Sequence, residues 1–359
     1  MFTEDDLRQA VVSGAISAEA AEALRNSVRG TRDAPATDEE NFRLINSFND
    51  IFVTIAAILL LVAMGGIGQV FTPGTDGPPP VSGLLIAGAA WGMAEYFTRV
   101  RRMALPSIVL LLAFVGGTFA MLLGAIFVAL GGDGFDGENQ VLAGLLISGA
   151  ALATAGAAWL HWRRFMVPIT VAAGAAALTG MVLALVVTAV GPDNMGEQIM
   201  IPLVFVAGLA VFGFAMRWDT SDRGRQTRRS DVAFWLHLLA APMIAHPLFH
   251  WLGVTGGENI GIGAAIGVLF VYVALGIVAL AIDRRALLVS ALAYVLAALT
   301  FLFDRFGAVE LNVALTALVI GSALLTLSAF WSPIRRAVVV QLPTNLQQRL
   351  PVAMLPHPT

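Results

Sequence analysis

Ten continuous apolar runs occupy most of the chain between residues 51 and 330, and they constrain the fold more than any other feature. They cover about 51–71, 81–98, 103–130, 141–160, 165–190, 199–216, 231–253, 261–282, 286–303 and 309–330. A bilayer hydrocarbon core of about 30 Å is crossed by roughly 20 helical residues, so each run is a candidate transmembrane helix. The runs are unbroken rather than alternating, which selects helices over a β-barrel. The expected fold class is therefore all-α, a polytopic membrane helix bundle of about ten spans. Composition agrees: 58% of the 359 residues are hydrophobic and 13% charged, where a soluble domain has about a quarter charged. A water-soluble enzyme, a nucleic-acid binder and a secreted disulfide scaffold are excluded. With no cysteine in the chain, disulfides, thiolate nucleophiles and cysteine-ligated metals are excluded too.

The charges between the runs alternate in sign. One set of connections carries Arg99, Arg101 and Arg102; Arg163 and Arg164; Arg217 through Arg229; Arg284 and Arg285; and Arg335 and Arg336. The other carries Asp76; Asp133, Asp136 and Glu138; Asp193 and Glu197; Glu258; and Asp304 and Glu310. All 21 basic residues are arginine, and only Arg305 falls on the acidic side. By the positive-inside rule both termini are cytoplasmic, and the expected location is a bacterial inner membrane. Trp159, Trp162, Trp218, Trp251 and Trp331 lie near span ends and read as interfacial anchors.

Two of the runs repeat. Gly83-Leu84-Leu85-Ile86-Ala87-Gly88-Ala89-Ala90 recurs as Gly144-Leu145-Leu146-Ile147-Ser148-Gly149-Ala150-Ala151, and Arg101-Arg102 with Pro106 recurs as Arg163-Arg164 with Pro168. The unit is span, Arg-Arg turn, span, giving direct hairpin repeats over about 81–130 and 141–190. A two-span unit returns the chain to its starting side, unlike the flipped repeats of many secondary transporters. Gly88/Gly92 and Gly263/Gly267 have the spacing that lets helices approach closely.

Residues 1–49 are polar and form a cytoplasmic segment, followed by the bundle over 50–334 and a proline-containing cytoplasmic tail over 335–359. Thr3 reads as a helix N-cap followed by an acidic first turn, with a short helix from Leu7 to Val12. Ser13-Gly14 breaks it, and a second helix starts at Ser17 and reaches about Val28. Residues 30–41 read as a linker, and Phe42, Ile45, Phe48 and Phe52 as an interfacial turn. This layout, a helical hairpin over 7–28 ahead of repeated spans, resembles that of uncharacterised bacterial multi-span membrane proteins. The resemblance implies a docking or assembly role for the hairpin and brings no functional residues with it.

Ionisable residues inside spans are costly and therefore informative. The seventh run holds His237, Pro242, His246, Pro247 and His250. His246 and His250 are four apart and share a helix face. They are the nearest approach to a metal or haem site, but no further ligands accompany them. We therefore assign no metal and no cofactor; Glu258 is the carboxylate on the same side. His237, on the opposite helix face, joins His246 and His250 as a candidate for transport or proton movement. Glu95 is a further candidate, four residues before Arg99 in the geometry of a helical ion pair. Arg223, Arg225, Arg228 and Arg229 are candidates for lipid headgroups. No nucleotide-binding, zinc-protease or serine-hydrolase motif is present, so no enzymatic activity is expected.

Two functions fit these features. One is a permease for a small solute or ion with His237, His246 and Glu95 on its path. The other is a non-transporting scaffold, sensor or assembly factor that binds protein partners through residues 1–30 or 335–359.

Overall fold

The structure, a computed structural model, describes residues 4–23, 48–72, 77–131, 139–225, 227–255, 261–306 and 311–352. Glu258 and the Asp76, Asp133–Glu138 and Glu310 positions lie outside the described residues, as do 24–47 and 353–359. The chain divides into two compact units, Met1–Leu44 and Ile45–Thr359.

In the first unit, α1 spans Glu4–Val12. It ends where the sequence breaks it: Gly14 takes a left-handed φ of 74°, and the Ala15 N–H returns 2.9 Å to the Ala10 carbonyl. This six-to-one closure favours glycine at the turn, where the left-handed φ carries no Cβ penalty. Ser17 then caps the next helical segment by accepting from the Ala20 N–H at 3.1 Å, and residues 18–23 are helical.

In the second unit every regular element among the described residues is helical. These are α2 (Phe48–Phe71), α3 (Pro80–Ala94), α4 (Ala104–Leu130), α5 (Gln140–Phe165), α6 (Ile169–Val190) and α7 (Glu197–Ser221). They continue with α8 (Arg228–Trp251), α9 (Ile262–Ile282), α10 (Ala286–Arg305), α11 (Asn312–Ala329), α12 (Trp331–Val340) and the short α13 (Thr344–Gln347). Nine of these, α2 and α4 through α11, are long and apolar enough to cross a membrane. The remaining apolar run, α3, has 15 residues and passes directly into a six-residue π-helical turn, Glu95–Val100. The chain is thus a multi-pass α-helical membrane protein, with its apolar flanks against lipid.

Connection length decides which helices pair. Counting the π turn with α3, three connections on the Arg-rich side hold three residues each, so α3–α4, α5–α6 and α9–α10 close as tight hairpins, as α7–α8 does across a longer loop. Each Arg-side turn uses a left-handed residue that is not glycine: Arg102, Met166, Arg225 and Asp283. On the acidic side the positive φ falls to glycines instead, Gly131, Gly191 and Gly253. Consecutive α6 and α7 make little contact with each other and pack instead on neighbouring helices.

Close helix approach is made by glycines other than those the spacing suggested. A Cβ on Gly83 would fall on the Met121 backbone, and 2.6 Å from the Gly117 carbonyl oxygen, so α3 and α4 meet backbone to backbone. Gly144, at the matching position of the second hairpin, faces the Thr188 side chain. Gly88, Gly92 and Gly263 instead have open space around them, and Gly267 meets only a Leu252 side chain. Spacing identifies a small-residue stripe, but the neighbouring helix decides whether that stripe is used.

The central helix is α8. Of its most apolar stretch 56% is buried, against 39% or less in the other candidate spans. It packs on α7, α6 and α10, with Leu236, Ala240, Ala245 and Phe249 fully buried. Pro242 and Pro247 lie within one uninterrupted helix. Being covered by protein on most sides lets α8 carry histidines and prolines that a lipid-exposed span would not tolerate.

Candidate functional site

The buried charges gather at the Arg-rich end of α7–α10 and form one connected cluster. Asp219, in the last turn of α7, is 1% exposed and its carboxylate is shared. His237 Nε2 donates to Oδ2 at 2.8 Å, and Arg284 Nη2 donates to Oδ1 at 2.7 Å. An ionised carboxylate only accepts, so His237 holds a proton on Nε2 in this contact, and its buried Nδ1 has no hydrogen-bond partner among the described residues. Arg284 also donates to the Ser230 carbonyl at 2.9 Å, which ties the start of α8 into the same cluster.

The second carboxylate is Asp283. It ends α9 with φ at 58°, and the Arg284 N–H closes the turn on the Ala279 carbonyl at 2.9 Å. Its side chain accepts from Trp331 Nε1 at 2.6 Å and from Arg225 Nη1 at 2.7 Å, while Arg335 Nε stands 3.5 Å away. The left-handed turn and the buried acid therefore serve one another: the turn aims the carboxylate inward, and its hydrogen bonds hold the turn. Arg225 lies in the loop between spans, where burial pulls its guanidinium below its ordinary value, opposed in part by Asp283. Direct hydrogen bonds and close charge pairs inside a low-dielectric cluster are strong when complete and costly when broken.

This cluster holds the C-terminal segment. Arg335 donates to the Pro351 carbonyl at 2.7 Å and the Val352 carbonyl at 3.2 Å, and Arg223 donates to Leu350 at 2.9 Å and Gln347 at 3.3 Å. The Val352 N–H returns to the Arg223 carbonyl at 3.3 Å. Residues 331–352 are thus fastened to the 217–229 loop and the α9–α10 turn. Trp331 differs from the expected interfacial anchor: it is 4% exposed, because its indole N–H meets Asp283 while Arg285 lies 4.9 Å over its ring.

Trp331→Phe keeps the ring under Arg285 and removes the hydrogen bond to Asp283. A hydrogen bond to a charged group contributes about 1.5–3 kcal/mol, so residues 341–352 are expected to exchange amide hydrogens at least ten-fold faster. Unchanged exchange there would show that the indole does not anchor the segment.

The other sequence candidates are placed separately. His237 is sealed in the charge cluster, whereas His246 and His250 lie near the acidic end of α8, with ring centres 6.4 Å apart. His246 Nδ1 is 2.7 Å from the Tyr294 hydroxyl, and His250 Nδ1 is 2.8 Å from Thr255 Oγ1. His250 Nε2 is 3.7 Å from Glu197. Among the described residues no group of three or more His, Asp or Glu is arranged to hold a metal. Glu95 sits on the π turn, where it accepts a two-pronged contact from Arg164 at 2.8 and 2.9 Å as well as Arg99 at 3.2 Å. It clamps the first hairpin to the second. His161, at the end of α5, is fully buried against Trp91 and Phe165, with Thr170 Oγ1 at 3.4 Å.

Of the four headgroup candidates, Arg223 and Arg225 are engaged within the protein. Arg228 and Arg229 line an open pocket of about 890 Å³ with Arg217. Below it lies an apolar groove of about 800 Å³ between α5, α6 and α7. Comparison with family models, with curated proteins and with solved structures gave no match.

Proposed function

We propose that this protein is a non-transporting scaffold or assembly factor of the bacterial inner membrane. In this reading both termini are cytoplasmic, and the Arg-rich face is a fixed platform made of the 217–229 loop and residues 331–352. The observation that carries it is how the buried charges are used: Asp219, His237, Asp283, Arg284 and Arg335 engage one another and the C-terminal backbone. A permease turns such groups toward a path, whereas a platform uses them to hold a surface in place. The arginine distribution supports the cytoplasmic orientation.

A permease is the second reading, favoured by the exposed His246 with its Tyr294 and His250 neighbours on the central helix. The absence of cysteine from the chain makes the two separable. Single cysteines placed at each position from 238 to 246 would be treated with a charged methanethiosulfonate, which reacts with thiolates in water. The expected result is no modification around Leu239, about 16 Å along α8 from Arg228, while Thr220→Cys in the exposed last turn of α7 reacts. A helical stripe of reactive positions running from 246 to 239 would reveal a water path and overturn the scaffold reading.

A further inference from the structure

The apolar groove and the arginine pocket are parts of one feature. Both are bordered by Trp162, Phe214 and Trp218, so the groove between α5, α6 and α7 opens at its Arg-rich end directly into the pocket. The groove exists because α6 and α7 stand apart, leaving small residues such as Ala158, Gly174 and Ala207 at its floor. Its rim is exposed on the flank of the bundle, through Trp159, Val182 and Val206. Along α7 it runs from Leu203 to Trp218. Fifteen residues of helix rise about 22 Å, more than the ~15 Å of hydrocarbon in one leaflet.

The pocket at its end has the opposite chemistry. Arg217, Arg228 and Arg229 line it together with the hydroxyl residues Ser221 and Thr227, and no acidic residue does. The three guanidinium groups have no ion pair within 4.0 Å among the described residues, although Asp231, three residues along α8, feels the charge of Arg228; around them Arg225, Arg284 and Arg335 are ion-paired and Arg223 is held by backbone carbonyls. Nearby Asp222 is occupied, accepting from the Thr227 N–H at 2.9 Å and its hydroxyl at 2.7 Å. A planar guanidinium fork matches a phosphate group in geometry and charge.

We propose that this groove is a binding site for one anionic phospholipid of the leaflet on the Arg-rich side. An acyl chain lies between α5, α6 and α7, and the phosphate sits among Arg217, Arg228 and Arg229. Charge complementarity sets the occupant: a zwitterionic lipid fills the groove equally well but brings a cationic group among three unpaired arginines. The tryptophans at the junction lie where chain and headgroup meet, the level at which indole rings settle in membranes. The site is independent of the scaffold reading, since it uses none of the residues that fasten the C-terminal segment.

The test is native mass spectrometry of the whole detergent-solubilised protein titrated with phosphatidylglycerol or phosphatidylcholine. One phosphatidylglycerol is expected to bind with at least ten-fold preference. A basic residue near a membrane surface is worth about five-fold in binding, so R228Q/R229Q is expected to weaken phosphatidylglycerol by about 25-fold and leave phosphatidylcholine unchanged. Ala207→Trp, which fills the groove away from the arginines, is expected to abolish the tight phosphatidylglycerol site. Equal affinity for the two lipids, or a preference indifferent to R228Q/R229Q, would overturn the proposal. So would a preference that survives Ala207→Trp, because the arginines would then act without the groove. A protein dimer that dissociates in Ala207→Trp would give the groove to a second copy of the chain, and would overturn it as well.

Discussion

Replacing Asp219 by alanine is expected to cost about 3–5 kcal/mol, because it leaves the Arg284 guanidinium buried without its carboxylate. Arg284 is 3% exposed and, among the described residues, has only the Ser230 carbonyl at 2.9 Å as its other acceptor. His237 loses its one hydrogen-bond partner among the described residues in the same change. At roughly 2–4 °C per kcal/mol for a chain of this order of size, the apparent unfolding midpoint in detergent should fall by about 10 °C. The paired variant D219A/R284M removes the stranded charge along with its partner, and a large part of the loss should return. That recovery separates a charge left unpaired from a simple loss of packing. A single variant within about 1 kcal/mol of the parent, or a double variant no better than the single, would show that the cluster contributes little.

A second large effect is expected at the meeting of α3 and α4. Gly83→Ala places a methyl group on the backbone of Met121 and beside the Gly117 carbonyl, and neither can turn aside. Overpacking of this kind costs typically 1–3 kcal/mol and separates the two helices. Gly144→Ala, at the matching position of the next hairpin, meets the Thr188 hydroxyl, which can rotate away, and its Cβ at 2.9 Å, which needs only a small shift, so it should cost less than a clash with backbone. Gly88→Ala has open space and should be neutral or slightly stabilising, since alanine is the better helix former. The order Gly83, Gly144, Gly88 in loss of thermal stability is the expected outcome. Equal losses at Gly83 and Gly88 would contradict the close approach.

The difference between these glycines marks how far the sequence could be read. Continuous apolar runs locate the helices because a bilayer demands length and hydrophobicity from each span separately, and the Gly14 break and the Ser17 cap are equally local. Which face of a span meets a neighbour is not local. The Gly88/Gly92 spacing is as good as any in the chain, yet no helix lies across from it, while Gly83 is used because Gly117 stands opposite. The charge cluster was hidden for the same reason. Asp219 and Asp283 look like ordinary rim acids, and nothing near them announces that Arg284 and Trp331, 65 and 48 residues further on, will bury them. Trp331 reads as a membrane anchor from its position at a span end, whereas its partner in the fold makes it an interior hydrogen-bond donor. Of the histidines, His237 was visible as a polar residue in a span. Its sealing by Asp219 depends on two helices placed side by side.

The spread of the cluster along the chain also sets an order of events during synthesis. Asp283 emerges before Trp331 and Arg335, its partners from the C-terminal segment. At about 5–20 residues per second, 48 residues correspond to a wait of about 2–10 s. A carboxylate waiting that long in hydrocarbon would be severely unfavourable. Because both acids lie at helix ends rather than in mid-span, they can wait hydrated while the rest of the chain is made. Placing the charges at the rim thus lets a buried cluster assemble late, after its helices have already entered the membrane.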